Sequence, residues 1–131
     1  MKKILTILSC VMVLFTISSC TKKYITPSNT ASVYATVAPT DWALYSDNKS
    51  YMASIDVADI DNNFANTGAV IVAISYADGV YEQLPEVYNG TSFSYTYNNG
   101  NVTIYAQSSD GTTPVAPTQT IQVKITLIAT N

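Results

Sequence analysis

Residues 91–107 read TSFSYTYNNGNVTIYAQ, with runs of β-branched and aromatic residues on either side of Asn99-Gly100. Asn-Gly is a favoured two-residue hairpin turn because both of its positions accept a positive φ. A turn at these two residues fixes the register of the flanking strands, and every apolar pair then falls on one face. The predicted pairs are Asn98 with Asn101, Tyr97 with Val102, Tyr95 with Ile104, and Phe93 with Ala106.

The rest of the chain after residue 30 also consists of short β-branched and aromatic runs that predict strands. In residues 120–130, aliphatic side chains alternate with Gln122, Lys124 and Thr126, which predicts a strand with one buried face. Short β-branched and aromatic runs separated by turn residues indicate an all-β protein, here an immunoglobulin-like antiparallel β-sandwich with one short helix. The other predicted strands span residues 32–37, 43–46, 50–57, 69–77 and 80–84.

A second turn dipeptide, Asp78-Gly79, predicts another hairpin. A two-residue turn at this point places Ala77 opposite Val80 and Tyr76 opposite Tyr81. The strands at 69–77 and 80–84 are therefore expected to pair directly.

The predicted helix covers Ala58–Ala65. Asp56 is the expected N-terminal cap, Ile60 and Phe64 fall on one side, and Gly68 follows the end. One short helix between strands is compatible with the sandwich.

The first twenty residues have the layout of an export signal. Met1–Lys3 is basic, and Ile4–Ile17 is an apolar run of fourteen residues, shorter than the about 20 needed to span a bilayer. The sequence Ile17-Ser18-Ser19-Cys20 resembles the bacterial lipobox, and the resemblance implies a diacylglyceryl group on the Cys20 thiol and cleavage before that residue. The alternative is an ordinary secretory signal, or a membrane anchor, with an incidental cysteine.

These features predict three parts of the chain: a lipoprotein signal peptide at residues 1–19, a lipidated tether at 20–30 and the β-sandwich domain at 31–131. Acyl chains hold a protein in the bilayer at about 0.8 kcal/mol per buried methylene, so two or three chains anchor firmly. The expected partner is therefore the membrane, reached through the lipid anchor.

Charge and composition exclude several functions. The chain has a formal net charge of −3, and loss of Lys2 and Lys3 with the signal leaves −5. It has no arginine, which argues against nucleic-acid binding because phosphate contacts depend on arginine and lysine. It also has no histidine, so histidine-based triads and the usual zinc sites are excluded. We expect no cofactor, no metal and no enzymatic activity.

Two acidic motifs have alternative interpretations. Asp59–Asn63 places oxygens at the first, third and fifth positions of a calcium loop, but Phe64 and Val70 stand where that loop needs glycine and glutamate. Acids at a helix start explain the same residues. Glu82 and Glu86 are the only glutamates. On one straight strand they would lie roughly 13 Å apart, too far for a glycosidase pair unless Pro85 bends the chain, so solvated strand-edge carboxylates are the favoured interpretation.

Aromatic residues are the remaining candidates for a site. Flat rings on a weakly charged surface rich in amides and hydroxyls suit stacking on sugars, although strand propensity explains tyrosines equally well. Trp42 is also explained as a core anchor. The candidate ligand-contacting residues are Trp42, Tyr45, Tyr81 and Tyr88.

Several of these features together resemble the small β-sandwich lipoproteins of the Bacteroidota. They are the lipobox, Asp41-Trp42, the short helix leading into Gly68–Val72, Gln83-Leu84-Pro85 and the aliphatic final strand. The resemblance implies a lipid-anchored protein of the cell envelope, at the outer membrane. Thr21-Lys22-Lys23 after the cysteine, in place of an acidic stretch, favours the periplasmic face. The expected function is a non-catalytic accessory or binding module with an envelope protein as partner. The alternative is a glycan-binding module of a polysaccharide-utilisation system.

Overall fold

The computed structural model describes residues 30–76 and 78–130. These residues form two antiparallel sheets that pack face to face, with one short α-helix. The first sheet has four strands in the order β1-β9-β4-β5: Thr30–Val37 (β1), Ile121–Ile128 (β9), Ala69–Ser75 (β4) and Glu82–Gln83 (β5). The second sheet has five strands in the order β2-β3-β8-β7-β6: Ala43–Leu44 (β2), Tyr51–Asp56 (β3), Asn101–Ser108 (β8), Thr91–Asn98 (β7) and Glu86–Tyr88 (β6). The prediction of an all-β sandwich is confirmed.

The hairpin of β7 and β8 has the predicted register. Phe93 pairs with Ala106, and Asn98 pairs with Asn101 across the Asn99-Gly100 turn. The glycine has a φ of 80°, which a residue without a Cβ adopts without strain. The inward residues of the hairpin therefore contribute directly to the core.

The core lies between the two sheets and is almost entirely aliphatic. Alternate residues of β9, from Ile121 to Leu127, are buried as predicted, and they face Phe93 and Ile104 of the other sheet. The hydroxyl of Tyr95 donates a hydrogen bond of 2.7 Å to the carbonyl oxygen of Val70, so one polar contact also joins β7 to β4. Burial of apolar side chains stabilises this packing by about 25 cal/mol per Å².

The Asp78-Gly79 hairpin prediction is wrong in its register. Ile74 pairs with Glu82, so the connection is longer than two residues and Tyr76 does not lie opposite Tyr81. The Asp78 carboxylate explains the longer loop, because it accepts hydrogen bonds from the Ser75 hydroxyl and the Val80 amide. The second predicted pair, Ala77 with Val80, includes a residue outside the described residues, because the structure does not describe Ala77.

The helix prediction is wrong at its start. The α-helix, α1, spans Asn62–Thr67, and its N-terminal cap is Asp61, whose carboxylate accepts a 2.7 Å hydrogen bond from the Phe64 amide. Asp56, the predicted cap, is instead the last residue of β3. Gly68 follows the helix end, as predicted.

A 3-10 helix at Pro39–Asp41 connects β1 to β2, and the Asp41 carboxylate accepts a hydrogen bond from the Ala38 amide. No helix among residues 30–76 and 78–130 is long and apolar enough to cross a membrane. The predicted signal peptide and Cys20 lie outside the described residues, so they stay predictions.

Candidate functional site

The candidate site is a groove of about 250 Å³ at one end of the sandwich. Three parts of the chain form it: the end of β4, the turn between β6 and β7, and the connection between β8 and β9. Phe93 of the core also contributes to its wall. The aromatic and polar residues that line it are Tyr76, Tyr88, Asn89, Thr91, Thr118 and Gln119.

A stacked pair of tyrosines forms the aromatic wall of the groove. The rings of Tyr76 and Tyr88 lie 4.6 Å apart between centroids, with an angle of 26° between their planes. Burial, followed by the nearby Tyr88, Glu86 and Glu82, raises the pKa of Tyr76 to about 12. Tyr76 is therefore a neutral phenol at physiological pH, while Tyr88 remains 38% exposed and can contact a ligand.

A tight turn positions Tyr88 at the groove. Asn89 and Gly90 have φ values of 47° and 76°, and they connect Tyr88 directly to its partner Thr91. The same dipeptide closes the β7–β8 hairpin, but there only the glycine has a positive φ. The strand β6 is not among the predicted strands, although Asn89-Gly90 could have predicted both the strand and its pairing.

The connection between β8 and β9 provides the opposite wall. Its first part is a compact turn in which the Asp110 carboxylate accepts hydrogen bonds from the hydroxyls of Ser108 and Thr112. These bonds lower the pKa of Asp110 to about 2. The amide of Ser109 also donates to the carbonyl of Gly90 at 2.9 Å, which joins the two walls.

The two glutamates lie beside the aromatic wall. The assumption that they share one straight strand is wrong, because Glu82 is in β5 of the first sheet and Glu86 is in β6 of the second. Burial, and then a hydrogen bond with Glu82 and its charge, raises the pKa of Glu86 to about 7. The Oε1 atom of Glu86 is buried without a hydrogen-bond partner among the described residues.

Both glutamates lie on edge strands, where Glu82 is exposed and Glu86 is half-buried. Neither glutamate lines the groove. The edge position of both glutamates agrees with the strand-edge carboxylates that the sequence predicts, whereas the partial burial and raised pKa of Glu86 differ from a fully solvated carboxylate.

The other three aromatic candidates lie elsewhere. Trp42 is only 8% exposed and packs 6.4 Å from Phe93, which makes it a core residue. Tyr45 makes an edge contact with Tyr105 of β8, and Tyr81 lies 4.5 Å beneath the ammonium group of Lys124 in β9. The structure therefore does not bring Trp42, Tyr45, Tyr81 and Tyr88 to one surface. Only Tyr88 lines the groove, where its neighbour is Tyr76.

The segment Asp59–Asn63, which in sequence resembles part of a calcium loop, contains the start of the helix α1. Asp61 caps α1, and no group of three or more Asp, Glu, Cys or His residues within 30–76 and 78–130 is placed to hold a metal ion. Acids at a helix start are sufficient to explain Asp59–Asn63.

No protein-family model matches the chain, and no curated protein or solved structure is significantly similar to it. Function is therefore inferred from the residues of this chain alone.

Proposed function

We propose that this is a lipid-anchored protein of the cell envelope whose β-sandwich is a non-catalytic module that binds a glycan in the groove beside Tyr88. The single observation that carries the glycan proposal is a groove of about 250 Å³ whose lining combines the stacked Tyr76 and Tyr88 with amide and hydroxyl side chains. An aromatic face packs against the apolar face of a sugar ring, while amides and hydroxyls bond its hydroxyl groups.

The size of the groove sets the size of the ligand. Pockets for drug-sized ligands have volumes of about 300–1,000 Å³, and this groove is slightly smaller. One sugar unit is the appropriate occupant. The groove is lined by uncharged side chains, and the charged residues that the structure describes near it, Glu82, Glu86 and Asp110, are acidic. A neutral sugar therefore suits the groove better than an acidic one.

The proposal of a non-catalytic module is supported by the carboxyl pair. Glu82 and Glu86 are both outside the groove lining, so neither is placed to act on a sugar bound there. The absence of histidine and arginine from the sequence removes other common acids, bases and anion ligands.

The test is a titration of the mature chain, kept in detergent micelles, with neutral and acidic oligosaccharides from envelope and dietary polysaccharides. We expect a neutral glycan to bind and Tyr88→Ala to weaken binding at least tenfold. Tyr45→Ala is the matched control, because Tyr45 is 37% exposed and lies outside the groove. Equal losses in both variants, or no binding by the parent chain, would overturn the glycan proposal. Turnover of a glycoside that disappears in Glu82→Gln would overturn the non-catalytic one.

The anchor has its own test. We expect the mature protein to begin at an acylated Cys20, as read by mass spectrometry of its amino-terminal peptide. A Cys20→Ala variant should leave the detergent phase in a partitioning experiment. Retention of that variant in the detergent phase would contradict lipid anchoring, whatever the outcome of the glycan titration.

A further inference from the structure

The four outer strands of the two sheets differ in length. β2, β5 and β6 have two or three residues each, whereas β1, the fourth outer strand, has eight. Short edge strands offer little backbone for pairing with another chain, and this is one way in which proteins avoid edge-to-edge association. β1 is therefore the exception among the edges.

β1 also lacks the other protections that edge strands carry. It pairs with β9 through eight consecutive residue pairs without a bulge, and its sequence, TASVYATV, contains no charged residue and no proline. Among the described residues its only strand neighbour is β9. Along its other side, alternate amide and carbonyl groups have no strand partner, and the side chain of Tyr34 is 66% exposed.

We propose that the β1 edge pairs antiparallel with the β1 edge of a second copy of this chain, so that two four-stranded sheets join into one sheet of eight strands. This inference does not depend on the proposed glycan site, because no residue of β1 lines that groove. The uncharged sequence of β1 favours a second copy of the same strand as its partner. An uncharged strand can pair with its own copy without placing like charges opposite each other.

The alternation of β1 determines the register of this pairing. Val33, Ala35 and Val37 are the more buried residues, and Tyr34 and Thr36 are exposed. Only registers that place like-facing residues opposite each other keep one continuous core face. Pairings centred on Val33 and on Tyr34 both meet this condition, and each uses seven of the eight residues. The pairing centred on Tyr34 is favoured because it places the two exposed tyrosine rings opposite each other as an aromatic cross-strand pair. It places Tyr34 opposite its own copy, Val33 opposite Ala35 and Ser32 opposite Thr36.

Cysteine crosslinking tests the register in the full chain in membranes. In the proposed pairing the two Cα atoms of residue 34 lie about 4.5–5.5 Å apart, within the range that a disulfide bridges. Tyr34→Cys should therefore give a disulfide-linked dimer under mild oxidation. Ser32→Cys is the control, because its two copies would be separated by four residues along the strand, roughly 13 Å. The parent chain, with its own cysteines, sets the background.

The crosslinking outcomes are decisive in both directions. A dimer with Tyr34→Cys at least tenfold above that with Ser32→Cys supports the pairing. Equal crosslinking of the two variants, or none above the parent chain, overturns it.

Charge exchange tests the same contact without a covalent bond. Ser32→Lys with Thr36→Lys places lysines opposite lysines in the dimer, and Ser32→Glu with Thr36→Glu does the same with acids. Each double variant should be monomeric by native mass spectrometry, with a loss of dimer of about tenfold or more. Mixing the two should restore a mixed dimer. Circular dichroism confirms that the variants fold. A parent chain that is monomeric in membranes and micelles, or dimers unaffected by the charges, would overturn the proposal.

Discussion

The β7–β8 hairpin and the segment Glu82–Tyr88 differ in how their residues are held. The hairpin has eight consecutive residue pairs, and its inward side chains are packed between the sheets. In Glu82–Tyr88 the chain leaves β5 in one sheet and enters β6 in the other, and these strands make only two and three pairs. The candidate groove lies beside the second region, so the proposed ligand site is in a part of the fold where the strands are short.

The long hairpin contributes mainly to the stability of the fold, whereas the proposed binding groove lies beside the short strands. A long, regularly paired hairpin is stabilised by burial of its apolar side chains. The short strands leave Tyr88 and the polar turn residues available at the end of the sandwich. Substitutions in the two regions should therefore have different consequences.

The largest expected effect is at Phe93, the buried aromatic residue of β7. Phe93→Ala should lower the free energy of unfolding by about 3–5 kcal/mol, because it leaves a cavity in the core. Val87→Ala in β6 is the control, since Val87 is 60% exposed, and its change should stay within about 0.5 kcal/mol. Urea denaturation of the mature chain measures both, and similar values would remove the distinction between the regions.

A smaller effect is expected at the hairpin turn. Gly100→Val forces a β-branched residue to a φ of 80° and should cost about 1–3 kcal/mol. Gly79→Val is the matched control, because Gly79 has a φ of 76° and equally open surroundings. Gly100 also exchanges backbone hydrogen bonds with Val57 and Ile60. We therefore expect the Gly100 variant to be the less stable in denaturation, and the reverse order would contradict a role for those bonds.

Loss of the aromatic stack should have a modest effect on stability. Tyr88→Ala removes the contact with Tyr76 and should cost about 1 kcal/mol. Tyr88→Phe keeps the stack and should unfold like the parent chain in the same thermal melt. If Tyr88→Ala cost as much as Phe93→Ala, Tyr88 would be a core residue, and the separation of stability from binding would fail.

The smallest effect is a pH dependence of the second region. The pKa of Glu86 is raised to about 7, above its ordinary value of 4.5, so the folded state holds this proton more tightly than the unfolded state does. The contribution of Glu86 to stability should be greatest at and below about pH 4.5, fall as the pH rises to about 7 and then level off. Denaturation across this pH range measures it. Glu86→Gln should reduce the fall, whereas Asp56→Asn, at an exposed site in β3, should not. An unchanged profile in Glu86→Gln would contradict the raised pKa of Glu86.

The sequence predicted the parts of the fold whose contacts are local. The β7–β8 register follows from Asn99-Gly100 and the alternation beside it, and the buried face of β9 follows from its own period of two. The crossing between β5 and β6 could not be found in this way. Leu84 is buried, but the sheet that each flanking glutamate joins is decided by pairing with β4 and β7.

The site shows the same limit. Tyr88 was among the predicted residues, and Asn89-Gly90 could have predicted the turn that holds it. Tyr76 and the wall at residues 115–119 come to the groove through packing between distant parts of the chain. A register of the Asp78-Gly79 loop that differs by one residue was enough to misplace Tyr76.

The compact turn around Asp110 has a consequence for how this protein can change over time. Its hydrogen bonds close the loop immediately after β8, and the groove wall at residues 115–119 follows that closure. Substitutions beyond the turn can therefore accumulate without disturbing the strands, as is common for loops on a rigid scaffold. Varying these five positions would change the lining of the groove and leave the paired strands in place.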